Sequence, residues 1–262
     1  MASRASSATN WARRVALVTG ASAGIGATVC EHLVLRLGMK VIGCARNIDK
    51  IEESAVKLRQ ANTTGSLHAI KCDLRHEDEI LAMFAEIKEK YGGVDVCVNN
   101  AGLAHPATLL EGKTEQWRNM FDVNVLALCI CTREAYQSMK ERNIDDGYII
   151  HISSMSGYRL EQPATNVYAA TKHSVKALTE GLRLELREIK SNIRITSISP
   201  GDVSTEFCLR MYPDDPSIHE KSEAAKKCLE PKDLADAVVH VLQTPPHVQV
   251  HDLLMRPTEQ TT

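Results

Sequence analysis

Thr19-Gly20-Ala21-Ser22-Ala23-Gly24-Ile25-Gly26 follows directly on the apolar run Val15 to Thr19 and leads into a helical pattern beginning at Ala27. Glycines let a backbone turn tightly and approach a pyrophosphate with no Cβ in the way, and a helix N-terminus adds free N–H groups and the positive end of a dipole. A glycine-rich turn alone is weak evidence and is often only a turn. Between a strand and a helix it reads as a phosphate cradle, with Gly20, Ser22, Ala23, Gly24, Ile25 and Gly26 as candidate cofactor-binding positions.

The same unit of short apolar run, turn and longer helical segment recurs along the chain, which predicts a parallel sheet covered by helices. The expected strands are Val15 to Thr19, Lys40 to Cys44, Leu67 to Cys72, Val94 to Asn99, Tyr148 to Ser153, Ile193 to Ser199 and a weaker one near Val248 to Leu254. This gives the α/β class: a single-domain Rossmann fold with a doubly wound, mostly seven-stranded parallel sheet over residues 13–262. Ile80, Leu81, Phe84, Ile87 and Tyr91 recur at helical spacing, with Gly92-Gly93 as a stop signal. Thr114 to Arg142 and Val167 to Lys190 are long and apolar, so both are expected to be heavily buried and to support a homodimer or homotetramer. A further helix should open at Pro231, a first-turn proline.

With 262 residues, 44% hydrophobic, 24% charged and a net charge of -2, the chain suits one domain around a single core and gives no electrostatic reason to bind nucleic acid. No run reaches the roughly 20 apolar residues of a membrane span. Met1 to Arg14 is Ser/Ala-rich and basic without the apolar stretch of a signal peptide, so residues 1–12 are expected to be a disordered lead-in. The eight cysteines lie mostly in apolar runs and lack metal-ligand spacing, consistent with reduced thiols in a cytoplasmic protein and no metal. Residues 206–228 are charged and contain Pro213 and Pro216, the composition of a mobile lid over a substrate site.

In Rossmann proteins that prefer NAD, an acidic residue about 20 positions beyond the glycines holds the adenosine ribose. This chain has Arg46-Asn47 there. A carboxylate would repel a 2′-phosphate, whereas a guanidinium pairs with it through two hydrogen bonds, so NADP(H) is the expected cofactor. Tyr168 and Lys172 form Tyr-x-x-x-Lys at the start of a helical pattern, on one face. A phenol titrates near 10 in water, and a neighbouring ammonium would bring it toward use as an acid/base at neutral pH. Taken alone, this spacing more often marks a solvent-facing pair.

The T-G-x-x-x-G-I-G element of Thr19 to Gly26 and the Tyr168/Lys172 pair together resemble the short-chain dehydrogenase/reductase family. The resemblance spans nearly the whole chain and extends to Cys72-Asp73-Leu74, to Asn99-Asn100-Ala101-Gly102 and to Pro200-Gly201-Asp202-Val203-Ser204-Thr205. It implies that Asp73 and Leu74 meet the adenine, though a helix N-cap suits Asp73 equally. It further implies that Asn100, Ala101 and Gly102 line the cofactor crevice, and that Pro200, Gly201, Val203 and Thr205 approach the nicotinamide.

The resemblance completes a catalytic set of Asn124, Ser154, Tyr168 and Lys172. Ser154 lies 14 residues before Tyr168, about one more than the family usually shows, and Ser153 and Ser156 remain as substitutes. Asn124, expected inside an apolar helix, would hold a relay water or bond to a neighbouring strand. The implied activity is hydride transfer between NADP(H) and a lipophilic carbonyl or secondary alcohol. Residues 124–128, 131–143, 154–157 and 255–260 resemble family members acting on 3-keto or 17-keto steroids, with farnesol-type isoprenoid alcohols as the alternative. A non-catalytic NADP(H)-binding sensor or scaffold is the reading from a different class, since fold alone does not establish activity.

Overall fold

The computed structural model describes residues 10–61, 63–213 and 228–261. All five residues of β1 (Val15–Thr19) are buried. Ala16 and Val18 pack into one helical layer, and Val15 and Leu17 into the other. A strand covered on both faces must be apolar throughout, which is why a continuous run rather than an alternating pattern marks it.

Parallel to it run β2 (Lys40–Ala45), β3 (Ser66–Lys71), β4 (Val96–Asn99), β5 (Tyr148–Ile152), β6 (Arg194–Pro200) and β7 (Asp252–Met255). The order is β3-β2-β1-β4-β5-β6-β7. The chain thus winds outward from β1 to β3 and then returns to lay β4 against the free edge of β1. That reversal opens a crevice at the C-terminal ends of β1 and β4, where open α/β sheets take their ligands. β7 starts later than the expected Val248, because the carbonyls of Val248 and Val250 accept from the side chains of Arg194 and Thr196.

One face of the sheet carries α1 (Gly24–Leu37), α2 (Asp49–Arg59) and α8 (Pro231–Gln243), through Val29, Leu33, Ile51, Leu234 and Val238. The other carries α3 (Glu77–Tyr91), α5 (Ala127–Glu141) and α6 (Asn166–Glu188), through Ile80, Ile87, Ile130, Ala135 and Leu186. α1 ends at Gly38 (φ 63°), whose N–H donates to Val34 O while Met39 N donates to Leu33 O. This left-handed cap satisfies the last carbonyls and turns the chain into β2.

Three expectations are corrected. The helix read over Thr114 to Arg142 is divided into α4 (Thr114–Phe121), a π turn (Asp122–Leu126) and α5. Neither long segment is buried all round: Leu126, Leu184 and Ile189 are each more than half exposed, so burial is confined to one stripe. The lead-in does not extend to residue 12. Trp11 is 2% exposed, its Nε1 donates to Leu242 O at 2.8 Å at the end of α8, and the Arg14 guanidinium lies over its ring. Within the expected lid, Phe207–Met211 forms a short helix, α7, and residues 214–227 lie outside the described residues. Among the described residues, no helix is long and apolar enough to cross a membrane.

Candidate active site

The glycine loop has the shape its composition requires. Gly20 and Gly24 take φ of 68° and 55°, conformations a side chain resists. A Cβ on Gly26 would lie 2.4 Å from Gly20 O and from Asn100 Nδ2, so helix and turn pack too closely for any other residue. α1 begins at Gly24 after an extended Ala23, with no side-chain cap and no acidic residue in its first turn. Its leading N–H groups and dipole therefore face the crevice uncancelled, as a pyrophosphate requires. Ser22 and Ile25 are partly buried on this turn.

Thr19 ties this loop to the end of β4. Its Oγ1 accepts from the N–H groups of Asn100 and Ala101, each at 3.0 Å, and Asn100 Nδ2 donates to Thr19 O and Gly20 O. Thr19 does not figure in the sequence-derived site. Its place at the end of an apolar strand gives little hint that its hydroxyl joins two loops. Thr19, Leu74, Asn99, Ala101 and Val123 line a small cleft beside it.

Arg46 and Asn47 are exposed at the end of β2. Asn47 Oδ1 accepts from Asp49 N and is engaged in starting α2, whereas Arg46 makes no ion pair among the described residues. Asp73 is not a helix N-cap, since α3 is capped three residues later at His76. Its carboxylate instead pairs with Arg75 Nε and Nη2 and accepts from Arg75 N, and the guanidinium holds its pKa down to about 2. Asp73 thus contributes a charge that Arg75 already neutralises.

The four expected chemical residues converge. Asn124 sits on the π turn, 1% exposed; its Oδ1 accepts from Leu103 N at 2.9 Å, and its Nδ2 donates to Leu103 O at 2.8 Å and to Thr171 Oγ1 at 3.0 Å. Its side chain thus anchors the 103 loop to α6, bonding to a loop backbone and to Thr171 rather than to a neighbouring strand. π turns recur at functional sites because the extra residue re-aims side chains and disrupts the helical ladder. Lys172 Nζ donates to Ile152 O at 3.0 Å. A Cβ on Gly102 would stand 3.5 Å from both Asn124 Oδ1 and Lys172 Nζ, which places these groups around one point.

Tyr168 is partly buried, and burial pushes its phenol well above the ordinary 10, with a hydrogen bond from Ser154 pulling it back and Glu161 and Cys208 pushing it further up. Lys172 Nζ lies 5.7 Å from the Tyr168 ring centre, donates to Ile152 O and is itself desolvated to about 8. The net direction at Tyr168 is upward, opposite to the expectation from the Tyr/Lys spacing, because burial outweighs the groups around the phenol. Ser154, rather than Ser153 or Ser156, meets the tyrosine. Ser153 Oγ instead approaches Lys172 O, and Ser156 N donates to Ser154 Oγ. Phe207 of α7 lies 5.7 Å from the Tyr168 ring centre, a contact the sequence did not mark.

Pro200 ends β6 opposite Met255, Val203 bridges to Leu229, and Thr205 lies close to Gly24. None of the eight cysteines is in a disulfide, and no cluster among the described residues could hold a metal ion.

A doubly wound parallel sheet with a glycine cradle at its switch point, and a Ser/Tyr/Lys group at the ends of the adjoining strand and helix, define an oxidoreductase of the nucleotide-binding type. The chain belongs to the short chain dehydrogenase family, whose sequence pattern matches residues 14–214. It is 56% identical over 253 residues to the human protein named dehydrogenase/reductase SDR family member 11, covering 96% of this chain and 97% of that one. It is 45% identical over 249 residues to the farnesol dehydrogenase of Aedes aegypti, covering 94% and 97%. The closed form of a serine dehydrogenase complexed with NADP+ superposes with a TM-score of 0.85 at 33% identity, covering 95% and 96%.

Proposed function

We propose that the protein interconverts a lipophilic ketone and its secondary alcohol with NADP(H), ketosteroids being the favoured substrate class. The observation that carries the proposal is the convergence of Ser154, Tyr168 and Lys172 beside a glycine turn that leaves no room for a Cβ at Gly26. The preference for NADP(H) is supported by Arg46, exposed and in no ion pair among the described residues, where an NAD-binding carboxylate would stand, with the nearby Asp73 paired to Arg75. It is also supported by the NADP+ named with the structural neighbour. Gly20, Ser22, Ala23, Gly24, Ile25 and Gly26 would hold the pyrophosphate, Arg46 the 2′-phosphate, Asn100 to Gly102 the crevice wall, and Pro200 to Thr205 the nicotinamide side.

Bound NADPH supplies the hydride. Tyr168 donates its phenolic proton to the carbonyl oxygen, and the raised pKa keeps it in the acid form that reduction needs. Ser154 donates to the same oxygen as charge develops on it. Lys172 holds the ribose from the anchored position at Ile152 O, and Asn124 fixes the loop and helix on either side. The substrate side is apolar. Tyr168 packs with Leu103, Ala107, Met120, Trp117 and Val167, and Phe207 closes on its ring. The described part of the expected lid, 206–213, would cover the substrate, and the protein works as a single-domain cytoplasmic homodimer or homotetramer.

The farnesol dehydrogenase relative favours a second reading, oxidation of an isoprenoid alcohol at the same residues. The deciding assay follows oxidation of NADPH, and separately NADH, with ketosteroids, farnesal, dicarbonyls and simple aldehydes. NADPH-linked steroid turnover is the expected result. Turnover confined to farnesal favours the second reading, and turnover with no carbonyl overturns both.

A further inference from the structure

Gly201 lies outside the left-handed region, so its backbone does not require glycine. Space does. A Cβ there would stand 2.1 Å from Gln260 Oε1 and 2.9 Å from Met155 Sδ. The C-terminal tail reaches this point by leaving β7 at Met255, whose carbonyl accepts from Gly201 N at 2.7 Å, and turning through Pro257, whose carbonyl accepts from Gln260 N. Gln260 Oε1 then accepts from Asp202 N at 3.1 Å.

The loop gripped in this way, with the residues that follow it, approaches the cradle, the Tyr168 ring and the segment after Ser154. Thr205 approaches Gly24 of the cradle, and Phe207 meets the Tyr168 ring. Met155, one residue beyond Ser154, is the other group filling the space over Gly201. The opposite side of the loop is tied by Leu229, whose N–H donates to Asp202 O and whose carbonyl accepts from Ser204 N. Residues 201–205 are therefore held between a strand-like bridge to Leu229 on one side and, on the other, the Met255 carbonyl at Gly201 and the Gln260 side chain at Asp202.

From this geometry we propose that Gln260 is a positioning residue. Its carbonyl oxygen fixes the backbone of the 200–205 loop in the conformation that receives the nicotinamide end of the cofactor, so the C-terminal tail sets cofactor affinity without touching the cofactor. This rests on the proposed NADP(H) chemistry. The argument is one of preorganisation: a loop already held pays less ordering entropy when the cofactor arrives. The amide N–H of Asp202 has its acceptor in Gln260, and an acceptor of the same reach should serve equally.

The test compares Gln260→Met, which keeps length but removes the amide, with Gln260→Glu, which keeps an acceptor oxygen. Hydrogen exchange across 201–205 is read on the ligand-free protein, and NADPH affinity by fluorescence titration. In Gln260→Met, exchange should quicken, and the NADPH Kd should rise by about fivefold, the scale of one lost hydrogen bond. kcat at saturating NADPH should hold, and Gln260→Glu should restore both exchange and affinity. Unchanged NADPH affinity in Gln260→Met, or equal losses in both variants, overturns the proposal. If the wild type binds no nicotinamide cofactor yet exchange still quickens in Gln260→Met, the cofactor assignment fails and Gln260 is reduced to a structural anchor. Quickened exchange with unchanged affinity in a protein that binds NADPH rejects the positioning role alone.

Discussion

Lys172 Nζ donates to the backbone carbonyl of Ile152 at 3.0 Å, so the strand that delivers Ser154 also fixes the ammonium two turns into the adjoining helix region. Burial lowers the Lys172 pKa from 10.5 to about 8, because a desolvated cation is disfavoured. Above about pH 8 the amine is increasingly neutral, and its grip on a ribose hydroxyl weakens. NADPH affinity should fall as pH rises through that value. Lys172→Met should bind weakly with no such dependence, and a variant that keeps the wild-type profile would assign the titration to another group. Between about 8 and 10.5 the unfolded chain holds a proton that the folded one has lost, so this group adds stability as pH rises through that window.

Tyr168 shows the opposite direction. Its raised pKa leaves the phenol protonated across the neutral range, suited to donate during reduction and poorly suited to accept during oxidation. Alcohol oxidation should therefore climb steadily toward alkaline pH while carbonyl reduction stays level through neutrality. Tyr168→Phe should lower turnover by roughly 10²–10⁴-fold, the usual worth of a general acid, with NADPH binding intact by titration. Substantial turnover in that variant would remove Tyr168 from the chemistry.

Arg46 stands exposed at the end of β2 without a competing ion pair among the described residues. Charge-assisted hydrogen bonds to a phosphate are stronger than neutral ones. Arg46→Ala should lower the ratio of kcat/KM for NADPH over NADH by roughly ten- to hundredfold, chiefly through KM for NADPH. An unchanged ratio would place the 2′-phosphate elsewhere, with Arg75 as the next candidate.

The sheet and the cradle were legible because their requirements are local. A parallel strand such as Val15–Thr19 must be apolar on both faces, and the turn after it tolerates no Cβ at Gly26. The Tyr168/Lys172 spacing was legible for the same reason, being set within one helix. What stayed hidden depends on partners far along the chain. The π turn at Asn124 answers to Leu103, 21 residues away, and Gln260 reaches Asp202 across 58. Asp73 was ambiguous because a carboxylate after a strand suits a cap, a base contact and an ion pair alike; the cap falls instead on His76, and Arg75 folds back onto the carboxylate. The Tyr168 pKa could not be read from the Lys172 spacing, since burial of the phenol sets its direction.

Trp11 illustrates the same limit at the N-terminus, where a short polar stretch conceals one anchoring side chain. Its indole is buried against α8 and donates to Leu242 O. Trp11→Ala should cost about 3–5 kcal/mol, while Trp11→Phe, which keeps most of the packing and loses one hydrogen bond, should cost about 1 kcal/mol. Urea unfolding checks both. Equal midpoints for Trp11→Ala and the wild type would mean that this segment contributes nothing to the folded state.

Asn124 separates a structural from a chemical role most directly. Its amide satisfies both polar groups of Leu103 and also reaches Thr171, next to Lys172, so one side chain fastens the π turn to the crevice loop and to α6. In Asn124→Ala the N–H and C=O of the partly buried Leu103 lose their partners, at up to about 1–3 kcal/mol for each group left unpaired and shielded from water. Asn124→Asp keeps the acceptor for Leu103 N, but an ionised carboxylate cannot donate to Leu103 O or Thr171, and the neighbouring Lys172 ammonium already donates to Ile152 O. Protonated, it offers one donor where the amide has two. The expected order of stability is therefore wild type, then Asn124→Asp at low pH, with Asn124→Asp losing further ground as pH rises. If thermal melting across pH shows no such slope while turnover collapses in both variants, Asn124 acts through the chemistry and its hydrogen bonds to Leu103 are secondary.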